Sequence, residues 1–412
     1  MEIRPILSAL LRSKTGAILV ALQVALSLAI LTNALHIVVE RQAVVARPSG
    51  IAAEGSVFHI RVRHLVDGSH QEQIARQQRE TDALRAIGGV ESVAFANQAP
   101  MTQSGWTTTL AVARTTGSNS APTSMYYSSD SLVKTWGLAL VEGRDLNPDD
   151  VVEIDGKTSP ESVFPKTVLI TRALAAKLWP NDARAAGKTV YFGTGDAPNA
   201  ATVVGVIDTL QTQSAEVTAR GGFALIAPIR QSFSSTMFAV RTEAGQLERV
   251  MKEAEATLRA SNQGHAIITM KTVAEDRKAR YRIDMALSWM LIAVSVLLLL
   301  ITASGIVGMA SLWVTQRRKQ IGVRRALGAR RVDILRYFIT ENLMITSVGV
   351  LCGVALSVAF NQLLVSKLEL ARLPLAYLVV GAGVFWALGV GAVYGPAWRA
   401  ASISPATATR SV

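Results

Sequence analysis

Two glycine–lysine–threonine triplets, at Gly156 and Gly187, are the parts of this 412-residue chain closest to a phosphate-binding pattern. A phosphate loop, GxxxxGK[ST], cradles phosphates with the backbone amides of a glycine-rich turn. Val151 and Asp182 stand where the first glycine of that loop is required. Both triplets therefore indicate a turn followed by a strand, and we do not expect this chain to hydrolyse ATP.

The other reactive side chains also lack a catalytic pattern. The histidines form no HExxH zinc pair, and His59 and His64 fall on opposite faces of a predicted strand. No GxSxG nucleophile elbow is present, and the acidic residues from Asp149 to Asp155 indicate a solvated loop. The sequence therefore predicts no enzyme, no metal site and no cofactor-binding residue. The five histidines are His36, His59, His64, His70 and His265.

A basic segment, residues 316–338, gives the strongest functional signal. It lies between two long apolar runs and carries eight Lys or Arg against one acid, Asp333. Cytoplasmic loops of membrane proteins carry such an excess of positive charge. We therefore place this segment in the cytoplasm and orient the rest of the chain from it.

Four apolar runs are long enough to cross a bilayer, which takes about 20 residues. They predict transmembrane helices at 16–39, 285–314, 339–365 and 376–394. The first run is too long for a signal peptide and no small-residue cleavage site follows it, so we interpret it as an uncleaved anchor. Residues 1–15 have the apolar spacing of an amphipathic helix on the cytoplasmic surface. Both termini are then cytoplasmic.

This topology explains the formal charge of +12. The outer residues, 40–283, contain 27 Lys or Arg and 25 Asp or Glu, whereas the segments assigned to the cytoplasm (1–15, 315–338 and 395–412) contain 13 basic residues and two acids. The charge therefore follows topology, and a nucleic-acid partner is not expected. The single cysteine, Cys352, lies in an apolar run, so the outer domain has no disulfide.

The outer residues predict an α+β domain with two lobes. Strand–helix–strand patterns occur at both ends of this region, which is typical of a split, ferredoxin-like sheet. We assign about 55–130 and 235–272 to this porter-like lobe and 131–234 to an inserted, mostly β lobe. A second, short outer loop is expected at 366–375.

Residues 273–284, VAEDRKARYRID, contain no helix breaker and run directly into the second span. They predict a continuous helix that projects from the membrane as a stalk. Such a helix would connect the outer domain to the basic segment.

Gly328 divides the basic segment into two helices. It follows Leu327 at the position of a helix C′ glycine, and a new helix can begin near Arg331. Topology alone requires neither this break nor an apolar patch, so we interpret the short helix as a docking surface for a protein, with anionic lipid contact as the alternative. The patch consists of Ile321, Val323, Ala326 and Leu327.

Two GxxxG pairs occur in the later spans. Gly349 and Gly353 lie in the third span, and Gly391 and Gly395 lie at the end of the fourth. Small residues at this spacing let helices approach closely in lipid. All four are predicted helix-packing residues, in a tight bundle or a dimer.

The stretch IGVRRALGARRVDILRYFITENLMI resembles the cytoplasmic coupling segment of the MacB/FtsX-like permeases of ABC transporters, whose usual form is close to EIGIRRALGA followed by a helix with a Glu. Glu341 matches that later Glu, whereas Gln320 stands where the family commonly has Glu. The ending from Pro396 to Pro405 is similar to the family's PAxRAAxxxP tail. Four outer stretches, LVEGRDL, VLITRALAAKLWP, GKTVYF and TVVGVI, are similar in order and spacing to the MacB-type periplasmic domain.

This resemblance implies a noncatalytic permease subunit in a bacterial inner membrane, with its large domain in the periplasm. A separate ABC ATPase dimer, with its ATP and magnesium, and a second permease, identical or paralogous, are the implied partners. Motion of the ATPase would pass to the outer domain by mechanotransmission and expel a hydrophobic, peptide-like or lipid-like substrate. The implied coupling residues are Arg317, Arg318, Gln320, Ile321, Gly322, Arg324, Arg325, Ala326, Leu327 and Gly328.

Two other roles on the same fold stay open. One is an FtsX-like regulator or sensor that controls a periplasmic partner without transport, and the other is a lipoprotein-releasing permease. The resemblance also leaves open whether a periplasmic adaptor and an outer-membrane channel are engaged.

Overall fold

The computed structural model describes residues 14–115, 117–156, 158–160, 163–193, 198–262, 265–368 and 372–402. The chain forms two units. The α+β unit is Val44–Ile283, and the membrane unit comprises Met1–Ala43 and Asp284–Val412. The predicted amphipathic helix at 1–15 lies outside the described residues except for Lys14 and Thr15, which begin the first helix. Part of the predicted outer loop, 369–371, and the end of the tail, 403–412, also lie outside them.

The elements of the first half are, in chain order, α1 (Lys14–Val45), β1 (Val57–His64), α2 (His70–Arg85), β2 (Val90–Ala96), β3 (Thr107–Ala111), β4 (Ser120–Ser128), α3 (Leu132–Trp136), β5 (Leu140–Gly143), β6 (Val152–Ile154), β7 (Thr167–Thr171) and α4 (Arg172–Leu178). Those of the second half are β8 (Thr189–Phe192), β9 (Asn199–Ile207), β10 (Ala224–Gln231), β11 (Ser235–Thr242), α5 (Leu247–Ser261), β12 (Ala266–Thr272), α6 (Val273–Gln316), α7 (Arg318–Ala326), α8 (Arg331–Leu368) and α9 (Leu375–Ala401).

The first lobe is a four-stranded antiparallel sheet with the order β12–β1–β11–β2. Successive side chains of a strand point to opposite faces. Phe58, Ile60 and Val62 of β1 are accordingly buried in one core with Leu84 of α2 and Val250 of α5. The two helices thus cover one face of the sheet, and this order confirms the predicted ferredoxin-like lobe.

The second lobe is an eight-stranded sheet with the order β4–β3–β8–β9–β7–β10–β6, in which β5 pairs with β9. Because β10 also pairs with β4, the pairing closes on itself. The predicted boundary at 130/131 is wrong, since β3 and β4 belong to this sheet. The cause is a parallel pairing between strands far apart in sequence, which sets Ser124 opposite Ala224.

The two lobes share a core. Ala94 and Ala239 of the first sheet and Leu169 and Ala224 of the second belong to the same buried cluster. The largest side chain in it is Trp136, at the end of α3, which has no exposed surface. Its burial fastens the short helix α3 to both sheets.

Four of the described helices, α1, α6, α8 and α9, are long and apolar enough to cross a membrane. They confirm the predicted four-span architecture, with the α+β unit between the first two spans. The predicted tail starting at 395 is corrected, because α9 continues through Pro396 to Ala401. This last turn is held by burial of Ala397, Ala400 and Ala401.

Candidate functional site

The basic segment forms α7 and the start of α8, and it follows α6 without an intervening loop. The Arg317 amide donates to the Trp313 carbonyl at 3.0 Å, and the Ile321 amide donates to the Arg317 carbonyl at 3.0 Å. Backbone hydrogen bonds of helical spacing therefore run through the junction between α6 and α7. The end of α6 and the start of α7 are therefore joined by continuous backbone hydrogen bonding.

Gly328 ends α7 in a Schellman motif. Its amide donates to the Arg325 carbonyl at 3.2 Å, and the Ala329 amide donates to the Arg324 carbonyl at 3.1 Å. This motif requires a residue with positive φ, in the left-handed backbone conformation, and Gly328 has a φ of +94°. The next helix is capped by Asp333, whose carboxylate accepts from the Arg330 amide at 3.0 Å.

We expect Gly328→Ala to lower the stability of the end of α7 by about 1 kcal/mol, because an L-residue is strained at this φ. Apart from the chain neighbours of Gly328, no described residue has an atom within 4 Å of the Cβ position, so the effect is conformational. Amide hydrogen exchange of the full chain in nanodiscs measures it. Gly383→Ala is the matched control, since Gly383 also has open space but lies inside α9, where alanine should increase protection. Increased protection of α7 in Gly328→Ala would contradict the assignment.

The inner face of α7 packs on the membrane unit. Ile321 and Gly322 are buried. Ile321 shares a core cluster with Trp313 of α6, with Ile334 and Phe338 of α8, and with the end of α9. Ile321 is therefore an anchor of the helix, although the sequence pattern assigned it to the exposed apolar patch of the predicted docking surface.

Arg317 is also directed inward. Its Nη1 lies 2.9 Å from Oε1 and 2.7 Å from Oε2 of Glu341, a carboxylate with only 1% of its side chain exposed. The Arg324 guanidinium lies 5.1 Å from the centre of the Tyr337 ring, a cation–π distance. Arg317 therefore positions α7 against α8 and is not part of the outer docking face.

The outer face carries the remaining predicted coupling residues. Leu327 is 83% exposed and Val323 is 53% exposed, with Ala326 exposed beside them. We call Val323, Ala326 and Leu327 the docking patch. Arg318, Gln320, Arg324 and Gly328 are also exposed, and Arg325 is half-buried. These three side chains form a small exposed apolar patch bordered by cationic residues.

The predicted packing glycines divide into two groups. A Cβ at Gly349 would lie 2.8 Å from the Ala21 carbonyl oxygen, and one at Gly353 would lie 3.0 Å from that of Ala25, so both lie against α1. At Gly391 and Gly395 it would meet nothing within 4 Å among the described residues, so their predicted role is not seen within this chain. Only glycine fits the first two positions.

The GxxxG pattern does not identify the two glycines of α9 that pack against other helices. Gly381 lies against Leu28 and Thr32 of α1, and Gly389 lies against Asn342 and Thr346 of α8. The eight-residue spacing of these two glycines places them on one helix face with the fully buried Phe385. That spacing is the sequence signal from which these two packing glycines could have been identified.

The other end of α6 is held inside the α+β unit. Arg277 Nη1 donates to the carbonyls of Val45 at 3.1 Å and Arg47 at 2.9 Å, and Nη2 donates to Glu54 at 2.5 Å. The Tyr281 hydroxyl donates to Gln211 Oε1 at 3.0 Å. The predicted stalk at 273–284 is therefore not free-standing, because its side chains pack into the core of this unit.

Glu54, the acid in this contact, stays ionised at neutral pH. Burial acts to raise the pKa of Glu54, but hydrogen bonds from Arg277 and Ser49 outweigh it and lower that pKa below its usual value. The contact between Glu54 and Arg277 is thus an ion pair at neutral pH.

A buried hydrogen-bond chain adds a second attachment. The Trp136 indole Nε1 donates to His59 Nε2 at 3.2 Å, which leaves His59 Nδ1 to donate to Asp276 Oδ2 at 3.3 Å. Asp276 lies in the first turn of α6. The chain therefore connects α3 and β1 to the beginning of the helix whose other end meets α7.

A helix that begins inside the α+β unit and ends beside a cationic helix, in a chain with four candidate spans among its described helices, defines a polytopic membrane protein with a large α+β domain. Two family models match this chain. The family described as MacB-like periplasmic core domain matches residues 18–257, and that described as FtsX-like permease C-terminal matches residues 292–405. The chain belongs to the MacB/FtsX-like family of ABC transporter permeases.

Individual relatives match over shorter stretches. The pyoverdine export ATP-binding/permease protein PvdT of Pseudomonas putida is 33% identical over 174 residues, 41% of this chain and 26% of that protein. The macrolide export ATP-binding/permease protein MacB of Bdellovibrio bacteriovorus is 34% identical over 152 residues, 36% of this chain and 23% of that protein. The chain thus spans about a quarter of the length of these relatives in the matched regions.

A solved structure, the periplasmic region of MacB from Actinobacillus actinomycetemcomitans, aligns with 59% of this chain and 98% of its own. Its identity to this chain is 16% and the TM-score is 0.34.

Proposed function

We propose that this chain is the noncatalytic permease subunit of a MacB-type ABC transporter, which uses ATP hydrolysed on a separate polypeptide to move its periplasmic domain. The observation that carries the proposal is α6, a single helix of 44 residues from Val273 to Gln316. At 1.5 Å per residue it is about 66 Å long, which exceeds the thickness of a bilayer. This continuous helix has residues in both units, which supports a role for it as the connection between a cytoplasmic input and a periplasmic output.

In this mechanism the docking patch binds the ATPase. ATP and magnesium bind in that partner, and closure of an ATPase dimer displaces α7. Because Ile321 and Arg317 fix α7 to the membrane unit, the displacement reaches α6 without being lost in a flexible loop. Asp276, Arg277 and Tyr281 then deliver it to the α+β unit.

The remaining partners and the orientation follow from the same scheme. An ATPase dimer contains two copies of the docking partner, so a second permease, identical or paralogous, would complete the transporter. The eight basic residues of 316–338 support a cytoplasmic position for that segment in a bacterial inner membrane, with the α+β unit in the periplasm. The proposed substrate is hydrophobic, peptide-like or lipid-like.

The docking patch gives a direct test. We expect Val323→Ala/Leu327→Ala to weaken association with the ABC ATPase that copurifies with the tagged chain roughly tenfold or more, because both truncations remove apolar area that the partner would bury. Affinity is measured between the purified chain in nanodiscs and that ATPase. Leu65→Ala is the matched control, since Leu65 is a 56% exposed leucine of the α+β unit.

Equal loss of ATPase binding in Leu65→Ala, or full binding by the double variant, would refute docking through α7. Copurification of a periplasmic hydrolase, with no effect of ATP on transport of any substrate, would favour a regulatory role over export.

A further inference from the structure

A cavity of about 320 Å³ opens on the face of the four-stranded sheet opposite to α2 and α5. It lies wholly within the α+β unit. Its floor is formed by side chains of β1, β11 and β12, and its rim includes Thr102 and Ser104 from the segment that connects β2 to β3. A cavity of this size is at the lower end of the range for small-molecule sites.

Two cations face this cavity without a partner. The strand register sets His59 opposite Lys271 and Arg61 opposite Thr269, so Arg61 and Lys271 are diagonal neighbours on one face, with Cβ atoms about 7 Å apart. Both are exposed, and neither has a hydrogen bond or an ion pair with any described residue. The acid in the lining, Asp276, is hydrogen-bonded to His59. The lining therefore carries two cations against one carboxylate, so its net charge is positive and an anionic group is favoured beside Arg61 and Lys271.

The rest of the lining is suited to an apolar group beside the charge. Met237 lies across from Arg61 on β11 and is buried against the cavity floor. Methionine side chains adapt their shape to different apolar ligands. Further along the same face of β12, Ile267 is 49% exposed, which extends an apolar surface beyond Thr269.

We infer that this cavity binds a small carboxylate-bearing amphiphile, with its carboxylate between Arg61 and Lys271 and its apolar portion against Met237. Carboxylates form strong charge-assisted hydrogen bonds with Arg and Lys. As a substrate site the cavity rests on the proposed transport function and restricts the substrate to an anionic class. As a binding site it can be tested without an ATPase.

The test uses the full chain, labelled with ¹³C-methyl methionine, in phosphatidylcholine nanodiscs. The two probes are the C-terminal amides of N-acetyl-leucyl-glutamate and N-acetyl-leucyl-glutamine, which differ in the charge of one side chain. We expect the Met237 methyl signal, assigned with Met237→Leu, to shift saturably with the glutamate probe at millimolar concentration. The glutamine probe should bind roughly tenfold more weakly, since the charged hydrogen bonds are lost.

The variants locate the site. Arg61→Gln and Lys271→Gln should each weaken the glutamate probe roughly tenfold. Arg63→Gln is the matched control, because Arg63 lies two residues further along the same face of β1, outside the cavity lining, and should bind within twofold of the original chain.

Three results would overturn the inference: no Met237 shift, equal affinity for the two probes, or equal weakening by Arg63→Gln. Retained ATPase docking together with any of these would leave the proposed permease function intact. Binding of the glutamate probe together with loss of ATPase docking would support the cavity as a binding site and contradict the proposed permease function.

Discussion

Arg317→Met is expected to destabilise the membrane unit by about 3–5 kcal/mol, because it leaves the Glu341 carboxylate buried without its cation. The measurement is the midpoint temperature of the full chain in detergent, which should fall by roughly 10 °C. Arg318→Met is the matched control. Arg318 is the next residue, it is exposed, and it forms no ion pair with any described residue.

The double variant Arg317→Met/Glu341→Leu separates stability from coupling. Replacing both members of a buried ion pair by apolar residues removes the uncompensated charge, so the midpoint temperature should recover. If Arg317 acts only by positioning α7, binding of the ATPase proposed as the partner recovers as well. A double variant as unstable as Arg317→Met would show that the pair is not the source of the loss.

Trp136→Ala should lower the free energy of unfolding of the α+β unit by about 3–5 kcal/mol, since a fully buried indole is removed from the core shared by both lobes. Trp136 also packs edge-to-face on Tyr126, with ring centres 5.5 Å apart. Hydrogen exchange of β1 and β11 amides in the full chain measures the change. Trp106→Ala is the matched control, because Trp106 is 60% exposed, and its effect should stay within about 0.5 kcal/mol.

Trp136→Phe isolates the hydrogen bond to His59. The ring remains, but His59 Nε2 becomes a buried acceptor without a donor, which costs about 1–3 kcal/mol. Because His59 in turn holds Asp276, exchange should also increase in the first turn of α6. Unchanged exchange in that turn would show that the hydrogen bonds linking Trp136, His59 and Asp276 do not stabilise the start of α6.

Features that depend on local sequence were predictable. The four spans follow from the length of apolar runs, and the end of α7 at Gly328 follows from the backbone conformation that glycine adopts most readily. The ferredoxin-like lobe was also predictable, because its strands and helices alternate in a recognisable order at the two ends of the domain.

The lobe boundary was not predictable in this way. The pattern of β4 shows that it is a strand but not which partner it pairs with, and its pairing with β10 joins residues about 100 positions apart. Such a pairing depends on closure of the whole lobe. The same limit applies to the glycines, because two GxxxG pairs with one pattern differ in which side of the helix meets a neighbour.

The basic segment shows both cases together. The sequence itself determined the charge of this segment, its two helices and the glycine between them. Each of these features depends only on residues a few positions apart. Only the tertiary structure decided that Ile321 and Arg317 anchor the segment while Leu327 and Val323 remain exposed. The physical reason is that burial and ion pairing depend on partners such as Phe338 and Glu341, which folding alone brings to that side of the helix.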